Sequence, residues 1–303
     1  MAVSLKEFRR YEDVLALKNH GLPYRFDQIF RTDSWGAKRA SKQKLKILQK
    51  FEGMLSRMLR EGEQVYYVSY GVQNSAFEQW FLGWVAYYLN RKVFLFTTQR
   101  VLMVQFSGGY TPDDLKAELP YANIAKAKGS LLGGLQLKLA DGKWMVFSGM
   151  PGSDRKTVVQ IVTALREKLA TASGPKAGVV NLCPHCYQTV SGFPSGCAAC
   201  HGRFKSAWVA GLLSLLFPGF GDMYLGHRLF ASLEILGAAM VWCAILSGAQ
   251  GWATAGRELA TTVLAMFGLM HGVDALMTGH VARKGIYPAK AASVPDRRAM
   301  PAA

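Results

Sequence analysis

The spacing of apolar residues changes character several times along the chain, and each change predicts a different kind of element. In residues 1–62, Leu45, Leu48, Phe51, Leu55 and Met58 recur at helical intervals and share one face of an amphipathic helix. Lys42, Lys46 and Lys50 line another face, with Lys38, Arg39, Lys44 and Arg57 near them. From residue 63 the pattern switches to short runs rich in β-branched and aromatic residues: EQVYYVSY, KVFLFTT and RVLMVQF read as strands. LQLKLADGKWMVFSG reads as a hairpin turning at Ala-Asp-Gly-Lys. SDRKTVVQIVTALREKLA returns to the helical period, with Val158, Ile161, Val162 and Leu165 on one face and Ser153 as its expected N-cap. SGPKAGVV, residues 173–180, reads as a linker by its glycine and proline.

After residue 206 the chain becomes strongly apolar in three stretches. The first, AWVAGLLSLLF, is eleven residues long and is stopped by Pro218. The second, Leu229 to Leu246, and the third, Leu259 to about Gly279, are long enough to span a bilayer. The tail from about residue 285 holds mainly Ala, Pro and basic residues and is expected to be disordered.

Charge adds a second layer. The 303 residues carry a formal charge of +16, which points to nucleic acid or the inner face of a membrane as partner, with solubility alone as the plain alternative. The basic helix could lie on anionic lipid, or pack on the next domain with its basic side in water. MAVSLKEFRRYEDV has no apolar core of a secretory signal, so the region ahead of the first apolar stretch is expected in the cytoplasm. Thiols stay reduced there, and the five cysteines are read as ligands or packing residues before disulfides.

The strand region also resembles a family. Glu63 and its strand, FLFTTQRVLMVQF, ELPYANIAKAKG and the hairpin are similar to the bacterial PH-like domains, with Thr98, Arg100, Tyr121 and Ile124 on the family's motif positions. That resemblance covers about a third of the chain. It implies an antiparallel β-barrel or sheet closed by a C-terminal helix, and a role in binding lipids or proteins without a catalytic site. The segment AFEQWFLGWVAYYLNRK departs from the pattern: Trp80 to Leu89 has five aromatics and no charge. It is too short to span. One reading is a finger that dips Trp80, Phe81 and Trp84 into the membrane interface with Arg91 and Lys92 on the phosphates. The other is a segment buried on the sheet.

CPHCYQTVSGFPSGCAAC contains two C-x-x-C pairs, Cys183/Cys186 and Cys197/Cys200, separated by ten residues. Two knuckles supply four thiolates in a tetrahedron, which suits a structural Zn²⁺ and resembles short zinc ribbons. CPHC matches a redox motif, but that chemistry needs a surrounding fold that some twenty residues cannot supply. CAACH matches haem attachment, which would leave CPHC unexplained. An iron site would use the same four ligands. His185 and His201 are spare ligand candidates. Four thiolates close the coordination sphere, and the metal supplies folding energy that so short a segment lacks. Such a ribbon is expected to act as a rigid spacer.

LLFPGFGDMYLGHRLFASLEIL resembles the two-TM-helix domain family: Pro218, Gly219, Gly221, Asp222, Tyr224, Leu225 and Gly226 match its turn, and Asp274 its late aspartate. Met223 stands where that family has an aromatic. Asp222, Glu234, His271 and Asp274 are ionisable groups in or near lipid, expected either to hold a hairpin by hydrogen bonds or to form an ion or proton site. Arg203 and Lys205 ahead of the first stretch and Arg283 and Lys284 after the last place both ends inside, with two full spans; three spans is the rival.

The chain is thus expected to be a multidomain α+β and membrane-α protein. Its parts are a basic helical region (1–62), a PH-like domain (63–172), a linker (173–180), a zinc ribbon (181–204), a membrane domain (205–282) and a basic tail (283–303). The expected function is a non-enzymatic, membrane-anchored binding or scaffold protein of the bacterial inner membrane, with membrane lipids and a protein as partners. A membrane-tethered nucleic-acid-binding regulator and a small ion- or proton-conducting protein are the alternatives. No aromatic-basic strand face of the RNA-binding type is evident, so nucleic acid is not the expected partner. No nucleophile elbow, phosphate loop or open metal site is present to suggest an enzyme.

Overall fold

The computed structural model describes residues 21–30, 37–73, 78, 84–129, 134–169, 178–248 and 256–289. The chain divides into two units, Met1–Leu182 and Cys183–Ala303.

The first unit is an antiparallel sheet with helices. Its elements are α1 (Ala37–Met58), β1 (Val65–Gln73), α2 (Trp84–Leu89), β2 (Arg91–Thr97), β3 (Arg100–Phe106), β4 (Pro112–Pro120), β5 (Ile124–Gly129), β6 (Leu135–Leu139), β7 (Trp144–Ser148), α3 (Gly152–Leu169) and β8 (Val180–Leu182). Neighbouring strands run in the order β5-β6-β7-β1-β2-β3-β4-β8. β1 meets β7 through only two residue pairs, Val72↔Ser148 and Gln73↔Phe147, so β1–β4 and β5–β7 form two blades joined at one corner. The core lies between the blades: Phe94, Phe96, Met103, Leu119 and Phe147 pack with Val158 and Val162 of α3.

β2 and β3 are buried on both faces, and for that reason FLFT and RVLMVQF read as continuous apolar runs rather than alternating ones. α3 covers one face. α1 supplies cover on the other, with Leu48, Phe51 and Leu55 fully buried and Gln43 accepting a hydrogen bond from Tyr70 at 2.9 Å. Lys44, placed beside the basic face by its spacing, is buried instead. Its ammonium sits 3.0 Å from Asp154 and 3.9 Å from the ring centroid of Tyr67, and Asp154 also accepts from Tyr67 and Ser69. α3 begins at Gly152, one residue before the expected cap. The carbonyl of Pro151 receives the first N–H groups, and the Ser153 hydroxyl donates to Asp154.

A second buried ionic group closes the β2–β3 turn. Arg100 donates to Glu63 at 2.9 Å and pairs with Glu118, which also accepts from Arg60. Burial pushes the Glu63 carboxyl up, but hydrogen bonds from Arg100, Thr97 and the Arg60 N–H, with the Arg100 charge, outweigh it and hold the group below its usual range. β8 contains Val180, read from sequence as the end of the linker. It pairs with β4 through Glu118↔Val180 and Ala117↔Asn181.

The second unit holds the cysteines, the short β9 (Thr189–Val190), and the helices α4 (Ala207–Leu216), α5 (Phe220–Leu225), α6 (Arg228–Gly248), α7 (Gly256–Phe267) and α8 (Val273–Ala282). A π-helical turn, Gly268–Gly272, joins α7 to α8. Two helical stretches, Arg228–Ser247 and Ala260–Ala282, are long and apolar enough to cross a membrane. α4 is too short to do so: ten residues rise about 15 Å, half the hydrocarbon thickness.

Candidate metal centre

The two cysteine knuckles are built alike, hydrogen bond for hydrogen bond. The Cys183 N–H donates to the Gln188 carbonyl and the Tyr187 N–H to the Cys183 carbonyl; the Cys197 N–H donates to Gly202 and the His201 N–H to Cys197. The residue after each second cysteine adopts a left-handed conformation, with φ of 61° at Tyr187 and 56° at His201. This turn folds each C-x-x-C pair so that both sulfurs face one point. Cys183 Sγ lies 3.7 Å from Cys200 Sγ, and Cys186 Sγ lies 3.6 Å from Cys197 Sγ. All four sulfurs lie within 4.8 Å of one another.

Those separations fit a metal and not a disulfide, whose sulfurs are about 2 Å apart. Four thiolates at about 2.3 Å from a tetrahedral ion stand about 3.8 Å from one another. The N–H groups of the knuckles point at sulfur, as a thiolate set requires. Burial pushes the Cys183 thiol up to about 11 against the N–H groups of Cys186 and His185. At Cys197 burial also acts upward, but the N–H groups of Cys200 and Ala199 outweigh it and the thiol is lowered. A bound cation replaces the four protons and removes the penalty that burial places on the thiolates. The sphere is closed by protein ligands, which is the arrangement of a structural site. His201 is exposed and His185 half-buried, its ring against Gly202, where a Cβ would lie 2.4 Å from the imidazole.

The ribbon is tied to the end of the last helix. Cys183, Val190, Cys197 and Phe204 form a small core with Ile286. The Lys205 N–H donates to the Tyr287 carbonyl, the Ala289 N–H to Arg203, and Phe204 bridges Pro288. Residues 286–289, expected from their composition to belong to a disordered tail, are instead held by these contacts, whose partners are ordinary residues far apart along the chain.

Of the four ionisable residues that the sequence placed in or near lipid, three are brought together. Asp222, Glu234 and Asp274 place carboxylate oxygens within 4.8 Å of one another. Asp222 accepts from Thr278 at 2.9 Å and contacts His227 Nδ1 at 2.7 Å; Asp274 accepts from the Gly219 N–H at 3.1 Å. Ser214 donates to Thr278 at 3.0 Å. His271 stands in a different setting: Trp242 donates to its Nε2 at 3.1 Å and Nδ1 lies 3.0 Å from the Leu215 carbonyl, which sets a neutral Nδ1–H tautomer. Ser214, His227, Trp242 and Thr278 were not singled out in the sequence; His227, at the end of the matched turn, carried the one usable signal.

The interface residues fare differently. Trp80 and Phe81 lie outside the described residues, as does the side chain of Trp84, whose backbone is in α2. Arg91 and Lys92 belong to β2 and are half-buried. Arg91 lies over the rings of Tyr88 and Phe106, and Lys92 donates to Gln73 at 2.7 Å.

No family model and no curated protein matches the chain. A solved structure similar in part is the "Crystal Structure of an N-terminally Truncated Linker-DH/PH Domains of p115-RhoGEF", at 10% identity and a TM-score of 0.29, over 54% of this chain and 42% of that one. The chain thus spans less than half of that structure, and so slight a likeness assigns neither fold nor function.

Proposed function

We propose that this chain is a non-enzymatic, membrane-anchored binding protein: a PH-like sheet domain that recognises lipid or protein, a structural zinc ribbon, and a two-span membrane domain with the ribbon and tail in the cytoplasm. The observation that carries the reading is the second unit. Within the apolar 18-residue windows of its two long helical stretches only 17% and 6% of the residues are buried, whereas a core helix of a soluble protein is mostly buried. Leu236, Met240, Leu264 and Leu276 are each at least 60% exposed and find an apolar solvent only in lipid. The PH-like assignment of the first unit is supported by two antiparallel blades closed by α3, with Arg100 and Tyr121 buried at the motif positions. Zinc is supported by the sulfur spacing and the reduced compartment expected for the ribbon.

The polar residues of the membrane domain serve this reading as fasteners rather than as a pathway. Thr278, His227 and the Gly219 N–H each reach a carboxylate from a different segment, and Ser214 joins α4 to α8. The test is twofold. Alkaline carbonate should leave the full chain in the membrane pellet, and chain purified in detergent under reducing conditions should carry a single zinc ion. Release into the soluble fraction overturns the anchoring; metal-free or iron-loaded protein overturns the zinc assignment.

A further inference from the structure

The outer face of the β5–β7 blade carries a chemistry that the core does not need. Residues alternate along each strand, and the register aligns the outward ones in two rows: Lys126↔Lys138↔Trp144 and Lys128↔Gln136↔Val146. Trp144 is 46% exposed and Val146 38%. The Lys128 ammonium lies 4.7 Å from the Trp144 ring centroid and that of Lys138 6.0 Å. Lys143, in the β6–β7 turn, adds a further exposed cation; its partner Asp141 is the one acidic residue among the described residues of these strands and that turn.

Folding alone does not account for this face. Like charges directly opposite on neighbouring strands, such as Lys126 and Lys138, destabilise a sheet. Lysines on β5 protect an exposed edge from pairing. Trp144, two strands in, has no such use. The blade thus has an aromatic-basic strand face that the sequence did not reveal. With a single aromatic it lacks the row of stacking platforms on which single-stranded nucleic acid lies, and it suits better a surface with negative charge at the periphery and an apolar layer just beneath, the headgroup boundary of an anionic bilayer.

We propose that the face of Lys126, Lys128, Lys138 and Trp144 docks on an anionic lipid surface, with the lysines on phosphates and the indole at headgroup depth. The proposal rests on the membrane-binding reading above and names the surface and lipid class.

The experiment uses the full chain held in neutral phosphatidylcholine nanodiscs. The contribution of Trp144 to the fluorescence is the difference between wild type and Trp144→Phe. Added vesicles of brominated phosphatidylglycerol should quench that contribution and shift it to the blue; brominated phosphatidylcholine should not. Raised salt should reverse the effect, as should Lys126→Gln, Lys128→Gln and Lys138→Gln together, with Trp144 emission unchanged before vesicles are added. Absence of quenching by the anionic vesicles overturns the proposal, as does equal quenching by the neutral ones. Quenching by a single-stranded oligonucleotide where the vesicles give none assigns the face to nucleic acid and overturns it too. Retention in the discs reports separately on anchoring; chain that is not retained is given the same vesicles free in solution, where Trp144 decides the matter in the same way.

Discussion

His201 occupies a backbone conformation that glycine would adopt at no cost, and Tyr187 does the same in the first knuckle. Both follow the second cysteine of a pair, so their strain belongs to the turn that aims the sulfurs. The four clustered cysteines were legible in the sequence because a C-x-x-C spacing is itself the geometry of a knuckle. Replacing Cys197 with Ser leaves three thiolates and an incomplete tetrahedron. We expect the bound metal to be lost and amide exchange to accelerate across residues 183–204, with β1–β7 unaffected; exchange measured by mass spectrometry separates the two units. Lys44 and Glu63 were not legible in the same way. Each is a charge in a polar stretch whose burial depends on a partner distant in sequence, Asp154 and Arg100. Glu63 has a folded-state pKa below its ordinary 4.5. The stability it contributes is complete above that value and is lost as pH falls from there through the lower folded value. Thermal melts of the chain from pH 7 to pH 3 should therefore show an acid limb in the sheet unit, and Glu63→Gln should be less stable at pH 7 with a flatter limb.

At the scale of elements, the apolar runs marked β1, β2, β3, β6 and β7 and did not mark β4, whose buried residues include charges. β4 reads PDDLKAELP, and its Lys116 and Glu118 are buried beside Leu115, Ala117 and Leu119. Alternation does not show when both faces are covered, and Glu118 is tolerated there because Arg100 and Arg60 reach it. In the second unit the turn motif included Gly221 without saying what it packs on. Gly221 supplies the answer: a Cβ there would lie 2.2 Å from the Ala210 carbonyl and 2.5 Å from Ser214 Oγ, so α5 packs backbone to backbone on α4. That contact brings Asp222 to Thr278. Gly221→Ala should force the helices apart, cost about 1–3 kcal/mol, and break the Ser214–Thr278–Asp222 chain. The expected readout is a lower melting temperature of the detergent-solubilised chain, and Gly237→Ala, where a Cβ meets nothing within 4 Å, should leave it unchanged.

At the scale of the whole molecule, three points of the second unit meet. The Lys205 N–H donates to the Tyr287 carbonyl, just past the end of α8, and the Lys205 ammonium donates to the Leu225 carbonyl at the end of α5. The Ser206 N–H donates to the Tyr224 hydroxyl. α4 and α5 therefore leave Lys205 and return to it, which in a membrane would be the path of a re-entrant segment. α6 and the α7–α8 helix likewise start and finish at that level. Charge supports the proposed orientation: Arg203, Lys205, Arg228, Arg283 and Lys284 lie at the ends that meet, and basic flanks of membrane helices are as a rule kept on the cytoplasmic side. On the proposed reading an even number of crossings follows. Single cysteines from Gln250→Cys and Ala291→Cys, each in a Cys243→Ser background, can be probed in whole cells with an impermeant maleimide. We expect labelling at 250 and protection at 291. Labelling at 291 with protection at 250 would mean that α4 and α5 cross completely, which would separate Lys205 from Leu225 by the thickness of a bilayer and break the hydrogen bond that joins them.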